Sequence, residues 1–419
     1  APSRRRGAVV VGSRPPPGGP APRAGGAPPV QPAMADRLDE PRLPSTPYRY
    51  AVELPPHFSA ADGSGGVGAA DNTPADNPVT DAGAALGRVL FYDTRLSTNR
   101  RVSCGSCHRQ AHGFSDPRRM SIGFDGRSTR RHAMSLANAR YYARGRFFWD
   151  ERAETLEAQV LAPIEDPVEM GSSLDEVEAG LAATAFYPPL FERAFGSPDV
   201  TRDRIARALA QFVRALVSHR APYDDARAAG PPGSPAFLAR LSPAARQGYL
   251  LFSTPPGNGR RGAGCSTCHA GDAQISLAPR NIGLDEFNGD VDGSFEALDR
   301  AGSGDPGGSD GGAGDGRFKA PSLRNVAIRP PYMHDGRFGM LREVIEHYDA
   351  QVAPHPFLDM ALLDRRLVVT GGPVRPLRLD LTDKEIADLI VFLETLTDPA
   401  FLADPRFSDP FLPAGRPSP

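Results

Sequence analysis

The sequence predicts a mainly α-helical protein of two similarly built domains joined by long loops. Three observations predict it. At 419 residues the chain exceeds one minimal domain and can bury two substantial cores. The pentapeptide Cys-Xaa-Xaa-Cys-His occurs twice, as Cys104-Gly105-Ser106-Cys107-His108 and Cys265-Ser266-Thr267-Cys268-His269, using all four cysteines. Ahead of each copy stands a stretch with helical apolar spacing, from Asp81 to Phe91 and around Ala244 to Phe252.

The pentapeptide is the attachment signature of c-type haem: two thiols form thioethers to the vinyl groups and the adjacent His becomes the proximal iron ligand. Two thiol pairs could also make a split zinc site or a redox dithiol. With 9 His in 419 residues, a His after both pairs by chance has a probability of roughly one in two thousand, which favours haem. Two cytochrome c-like domains follow, each with one covalent c-type haem. They are expected over residues 46–230 and 231–405, between a leader (1–45) and a tail (406–419).

Each element has its own signal. Residues 1–45 are rich in Pro, Gly, Ala and Arg without periodicity and read as a disordered leader or linker. Folded structure is expected from Tyr48. The first helix carries Ala84, Leu86, Val89, Leu90 and Phe91, and leads through Asp93 and Leu96 to the first motif. Further helices are expected over Trp149–Leu161 and Ile205–Val217. The Gly-Pro-rich segment from Ala229 to Pro235 marks the domain boundary. Gly302 to Gly316 has the Gly and Asp density of a calcium loop but no ligand register, and reads as a flexible insertion. Thr382 to Leu396 offers a Thr N-cap, Glu385 three residues on, and an apolar stripe at Ile386, Leu389, Ile390 and Leu393, a helix suited to covering a haem.

A formal net charge of -2 and a pI of about 6.6 argue against nucleic acid or an anionic membrane as partner. No apolar run reaches membrane-spanning length, and Ala8 to Val11 is too short for a signal-peptide core. Covalent haem attachment requires export in bacteria, so the expected location is the periplasm, with a leader removed or lying upstream.

The blocks LGRVLFYDTRLS (86–97), SCGSCH (103–108), FFWDERAETLEAQVLAPIEDPVEMG (147–171), FKAPSLRNVAIRPPYMHDG (318–336) and the final helix carry a family likeness. In that order, over about residues 48 to 400, they resemble the bacterial dihaem cytochrome c peroxidase family, which includes MauG. The resemblance implies an N-terminal peroxidatic haem and a C-terminal electron-transfer haem. By position it makes Glu169 the acid/base, Gln159 a distal hydrogen-bonding partner and Trp149 the bridge between haems. Read alone, these would be a helix-end carboxylate, a surface amide and core filling.

Pro163 falls where the family points a proline at the distal face, and it has no atom to ligate iron. Where some members carry a switchable distal His, this chain has the loop GFDGRSTR with Phe124. The first haem is therefore expected to be open without reductive activation. His132, at the place of a calcium-binding Asn, and Arg329 weigh against the interdomain calcium that the resemblance implies. For the second haem, Tyr348 stands fourteen residues beyond His334, where electron-relaying members have Met and MauG-type members Tyr. Phenolate stabilises oxidised iron and Met favours ferrous. The competing ligands are Met360 and Met340. Of the other histidines, His57 and His355 are expected to be solvated and His219 to end a helix.

The leading function is reduction of hydrogen peroxide, with electrons from a small c-type cytochrome or cupredoxin. The alternative is oxidation of a Trp or Tyr on a partner protein. Tyr348 favours that branch, and Ala263, where a surface Trp would serve as exit, counts against it. A dihaem electron-transfer cytochrome would need six-coordinate iron at both sites, which the missing distal His opposes.

Overall fold

The computed structural model describes residues 39–51, 53–59, 67–257, 261–276, 278–284, 316–364 and 375–413. Its first α-helices are α1 (Pro56–Ser59), α2 (Asp81–Tyr92), α3 (Cys104–Cys107), α4 (Leu156–Glu165), α5 (Leu174–Ala182), α6 (Tyr187–Phe195) and α7 (Arg202–Ala215). They are followed by α8 (Pro222–Ala229), α9 (Pro235–Ala239), α10 (Pro243–Ser253), α11 (Leu341–Glu346), α12 (Asp383–Glu394) and α13 (Pro399–Leu402). Among the described residues β-structure is confined to isolated bridges.

Two helix crossings built alike organise these elements. Side-chain caps start all four helices involved: Thr80 for α2, Thr201 for α7, Ser242 for α10 and Thr382 for α12. Where α2 crosses α7, a Cβ on Gly87 would stand 1.9 Å from Ala208 O; where α10 crosses α12, one on Gly248 would stand 2.0 Å from Asp388 O. Only glycine permits so close an approach. Each glycine precedes its Cys-Xaa-Xaa-Cys-His motif by seventeen residues.

The likeness continues beyond the motifs. Ser135 Oγ donates to Gly113 O at 2.6 Å and Ser322 Oγ to Ala273 O at 2.5 Å, each tying down the loop after a motif. Three residues later Asn138 and Asn325 take left-handed φ values of 62° and 60°. Their N–H groups donate to Leu216 O and Leu396 O, just beyond α7 and α12. Next come two turns closed by antiparallel bridges, Phe147 with Ala153 and Tyr332 with Phe338. In this register Trp149 matches His334, Glu151 matches Gly336, Leu156 matches Leu341 and Pro163 matches Tyr348. The backbone agrees: Phe148 and Met333 have φ of 67° and 74°, Glu151 and Gly336 of 58° and 62°.

The first apolar core joins α2 and α4–α7, and the C-terminal Phe401, Phe407 and Phe411 return to it. The second joins α8–α12. A third, smaller cluster packs Phe58, Tyr141, Tyr142 and Val217 against Ala273 and Ile275 of the second motif's loop. Helices α8 and α9, either side of the boundary expected near residue 230, pack on each other, and Tyr223 already belongs to the second core.

Several local expectations need correction. The helix expected over Trp149–Leu161 begins at Leu156, because residues 147–153 are spent in the bridged turn and Thr155 supplies the cap, accepting from Ala158 N at 3.1 Å. The helix expected over Ile205–Val217 runs Arg202–Ala215, so His219 lies beyond its end. His57 and His355 are buried, not solvated: His57 Nε2 meets Asp224 Oδ1 at 2.8 Å, and the Asn281 amide donates to His355 Nδ1 at 3.0 Å. Residues 302–315 of the Gly302–Gly316 segment and residues 1–38 lie outside the described residues. Residues 39–45 are described, and Arg42 N donates to Pro410 O at 2.8 Å.

Candidate active site

The first motif forms the one-turn helix α3 and ends on His108. His108 Nδ1 donates to Phe114 O at 3.0 Å, so Nε2 is the nitrogen left for another partner. Burial lowers the basicity of this imidazole and keeps its lone pair available at neutral pH. Burial also pushes the Cys104 and Cys107 thiols up to about 12, and the charge of Glu169 adds to the effect at both. Redox-active or nucleophilic cysteines have depressed values, so these sulfurs suit uncharged thioethers rather than a reactive dithiol. Among the described residues no three His, Cys, Asp or Glu side chains converge as a metal cage.

Glu169 thus lies close enough to the first motif for its charge to be felt at both thiols. Its own carboxyl is raised to about 7, chiefly by burial, then by the neighbouring charge of Asp166, with Arg152 partly offsetting. Backbone fixes it: Asp166 Oδ1 accepts from Glu169 N at 3.0 Å, and Glu169 O accepts from Phe124 N at 3.0 Å. Phe124, at the place where some family members carry a switchable distal His, is therefore tied to the Glu169 turn. Gln159 and Pro163 are half-buried on α4, four residues apart and so on one face.

The second motif opens into a cavity of about 1440 Å³ lined by Cys265, Cys268, His269, Tyr348, Trp149 and Ala263. Burial brings His269 down to about 4 and Cys265 up to about 12. Gln274 O faces His269 as Phe114 O faces His108, but no hydrogen bond is completed and Nδ1 is buried without a partner. Tyr348 sits in a π-helical turn after α11, its phenol raised by burial and by the charges of Cys268 and Cys265. Met360 and Met340 are 58% and 59% exposed and do not line the cavity. Desolvated sulfurs, a neutral imidazole and an apolar cavity fit a covalent haem.

Trp149 stands at the seam. Its Nε1 donates to His132 O at 2.7 Å and its ring meets that of His334. His132 does not present a free nitrogen to a cation: Nε2 pairs with Ser115 Oγ at 3.0 Å, and Nδ1 points at Arg118 O and Arg119 O. Arg329 is buried close by, its guanidinium lowered to about 10 by burial, and its charge depresses both His132 and His269. A buried cation here does not fit an added calcium ion.

Sequence reasoning missed two residues that the fold joins at the bridged turn carrying Trp149. Tyr142 is fully buried and its hydroxyl donates to the buried carboxylate of Glu151. The one signal available was a Glu at a place where the second half of the chain has Gly336, readable only once the two bridged turns are superimposed.

The di-haem cytochrome c peroxidase family model matches residues 81–230. The chain is 34% identical over 340 residues to the methylamine utilization protein MauG of Methylorubrum extorquens, covering 80% of this chain and 83% of that protein. It is 30% identical over 336 residues to the cytochrome c551 peroxidase of Nitrosomonas europaea, covering 79% and 83%. A solved MauG-like protein associated with microbial copper homeostasis superposes with a TM-score of 0.64 at 33% identity, covering 81% of this chain and 96% of that one. Two cytochrome c-like domains and two c-type haems come with these relatives. Paired motifs, paired helix crossings and this likeness lead to one conclusion: the chain belongs to the dihaem cytochrome c peroxidase family that includes MauG.

Proposed function

We propose that this protein reduces hydrogen peroxide to water at the first haem and draws the two electrons required through the second. Cys104, Cys107 and His108 would hold the first haem; Cys265, Cys268, His269 and Tyr348 would hold the second. When bound, each haem supplies a redox-active iron. The rest is the work of side chains. Glu169, poised near neutrality, takes the proton from the inner oxygen of peroxide and returns it to the outer one, so that water leaves. Gln159 would hydrogen-bond the peroxide, and Pro163, which has no ligating atom, would leave the peroxide site open. Trp149 carries electrons between the halves.

One observation carries this reading. Pro163 and Tyr348 occupy equivalent places after the bridged turns, so the halves differ there between a residue with no ligating atom and a phenol that could hold an iron. Only the first half pairs its non-ligating residue with a desolvated carboxyl. Resonance spectra of the ferric holoprotein test it: the expected result is one high-spin and one low-spin haem, and two low-spin haems would overturn it.

The division into a peroxidatic domain (46–230) and an electron-transfer domain (231–405) belongs to the same proposal. So do a small c-type cytochrome or cupredoxin as donor, docking near the second haem, and the periplasm as compartment. Among the described residues no helix is long and apolar enough to cross a membrane. A second reading, oxidation of a Trp or Tyr on a partner protein, draws on the placement of Tyr348 in the cavity. Ala263, lining that cavity where an exit Trp would stand, weighs against it.

A further inference from the structure

Glu151 is an expensive residue. It holds φ at 58°, in the left-handed region that disfavours a side chain, and its carboxylate is only 1% exposed. The matching position in the second half is Gly336, which takes the same conformation without strain. What Glu151 adds is an acceptor for the buried phenol of Tyr142. Arg144 holds the carboxylate in place, with Nε 2.8 Å from Oε1 and Nη2 2.9 Å from Oε2.

The pair is wired to the site. The Lys319 ammonium lies 4.4 Å from the Tyr142 ring centroid, while the Lys319 N–H donates to Trp149 O at 2.7 Å. Lys319 thus links the Trp149 main chain to the phenol ring. The Tyr142 ring packs in the same cluster as Ala273 and Ile275, which follow His269. Removing an electron from a phenol makes its O–H strongly acidic, so a buried tyrosine gives up an electron readily only where a base receives the proton. Tyr141 is an internal control: it is 1% exposed in the same cluster, and its hydroxyl has no partner.

We propose that Tyr142 and Glu151 form a proton-coupled redox pair that holds one oxidising equivalent delivered through Trp149. The proposal rests on the peroxidase reading, whose activity supplies the oxidant. One electron passes from the Tyr142 ring to oxidised Trp149, which returns to its reduced state. The phenolic O–H bond breaks, and the proton forms an O–H bond on Glu151, leaving a neutral phenoxyl radical beside a neutral carboxylic acid. An electron from the donor later reduces the radical, and the proton returns. With donor scarce, the equivalent rests on Tyr142 instead of lingering at Trp149.

The test mixes ferric holoprotein with one equivalent of hydrogen peroxide and no donor. Haem absorption and freeze-quenched electron paramagnetic resonance are read on the same sample. The expected result is a haem response followed by a tyrosyl signal that narrows when ring-deuterated tyrosine is incorporated. The signal should vanish in Tyr142→Phe and persist in Tyr141→Phe. Glu151→Gln, which keeps the shape and removes the base, should shorten its lifetime at least tenfold, and decides the matter if Tyr142→Phe fails to retain its haems. A haem response with no tyrosyl signal, or a signal that survives Tyr142→Phe or keeps its lifetime in Glu151→Gln, would overturn the pair and leave the peroxidase reading standing. Haems that stay inert to peroxide both in the ferric protein and after one-electron reduction would overturn both.

Discussion

Trp149 and His334 occupy equivalent places in the two bridged turns and meet edge to face, with 6.3 Å between ring centroids. His132 clamps the contact: its carbonyl accepts from the indole, and its N–H donates to His334 O at 2.8 Å. Phe318 stacks on His334 at 3.7 Å. The seam between the halves is thus an aromatic stack held by backbone, and Trp149 is the one tryptophan in the chain.

Replacing that indole should separate electron transfer from peroxide cleavage. Trp149→Phe keeps a ring and loses the hydrogen bond to His132 O. Stopped-flow spectra should show both haems retained and the first peroxide step changed by less than about threefold, because Glu169 is untouched. The exchange of oxidising equivalents between haems should slow by about tenfold or more. Equal slowing of both steps would remove Trp149 from the path and make it a packing residue.

The acid/base assignment makes a pH prediction. The Glu169 carboxyl is raised to about 7 by burial and Asp166, and in the proposed role its carboxylate is the form that would take the peroxide proton. The rate of peroxide cleavage should therefore rise with pH through about 7 and level off above it. Glu169→Gln should keep both haems, slow cleavage by about a hundredfold or more and abolish that inflection. An unchanged rate would exclude Glu169.

The duplicated pentapeptide and the apolar spacing around it were enough to read two helical halves from the sequence, because haem attachment and helix amphipathicity both follow short, fixed spacings. Helix ends governed by side-chain caps were also legible, as at Thr382 with Glu385. The start of α4 was not, because the helix formers Glu151, Arg152, Ala153 and Glu154 run back towards Trp149 while a bridge between Phe147 and Ala153 overrides the helical pattern. His57 looked solvated from its prolines, and its partner Asp224 is 167 residues away. The kinship of Pro163 with Tyr348, and of Glu151 with Gly336, was hidden for the same reason. The two halves share backbone conformation at these positions more than residue identity, and conformation is not written in a short window.

The buried network around Asp224 should dominate acid stability. His57 Nε2 and both terminal nitrogens of Arg324 converge on this carboxylate. Burial alone would raise it, but the His57 hydrogen bond and the Arg324 charge hold it down at about 2. The unfolded chain titrates near the ordinary carboxylate value of about 3.9. Asp224 therefore contributes its full stabilisation above about pH 4 and loses it as pH falls through about 2. Asp224→Asn leaves Arg324 buried without a counter-charge and should cost about 3–5 kcal/mol in denaturant unfolding at pH 7. A cost below about 1 kcal/mol would mean that the network is not a clamp.

Ligation of the second haem by Tyr348, as proposed, would spare the resting enzyme any priming. Its phenol lies in the second cavity among desolvated sulfurs, while Met360 and Met340 are exposed outside it. Phenolate stabilises the oxidised state of iron, whereas Met would raise the potential and favour the reduced state. The fully ferric protein should therefore react with one equivalent of peroxide at once, with both haem spectra changing together and no lasting radical at Trp149. Tyr348→Phe should alter only the second haem's spectrum in the resting protein. Tyr348→Met should raise that haem's potential and make the reaction depend on prior one-electron reduction. If the native protein is itself inert until reduced, Tyr348 is not the ligand, and the second haem belongs with those of activation-dependent peroxidases. Steady turnover with a reduced c-type cytochrome would then assign the native enzyme to peroxide removal. Turnover that stays poor with every small donor, despite rapid reaction with peroxide, would assign it to oxidation of a protein substrate.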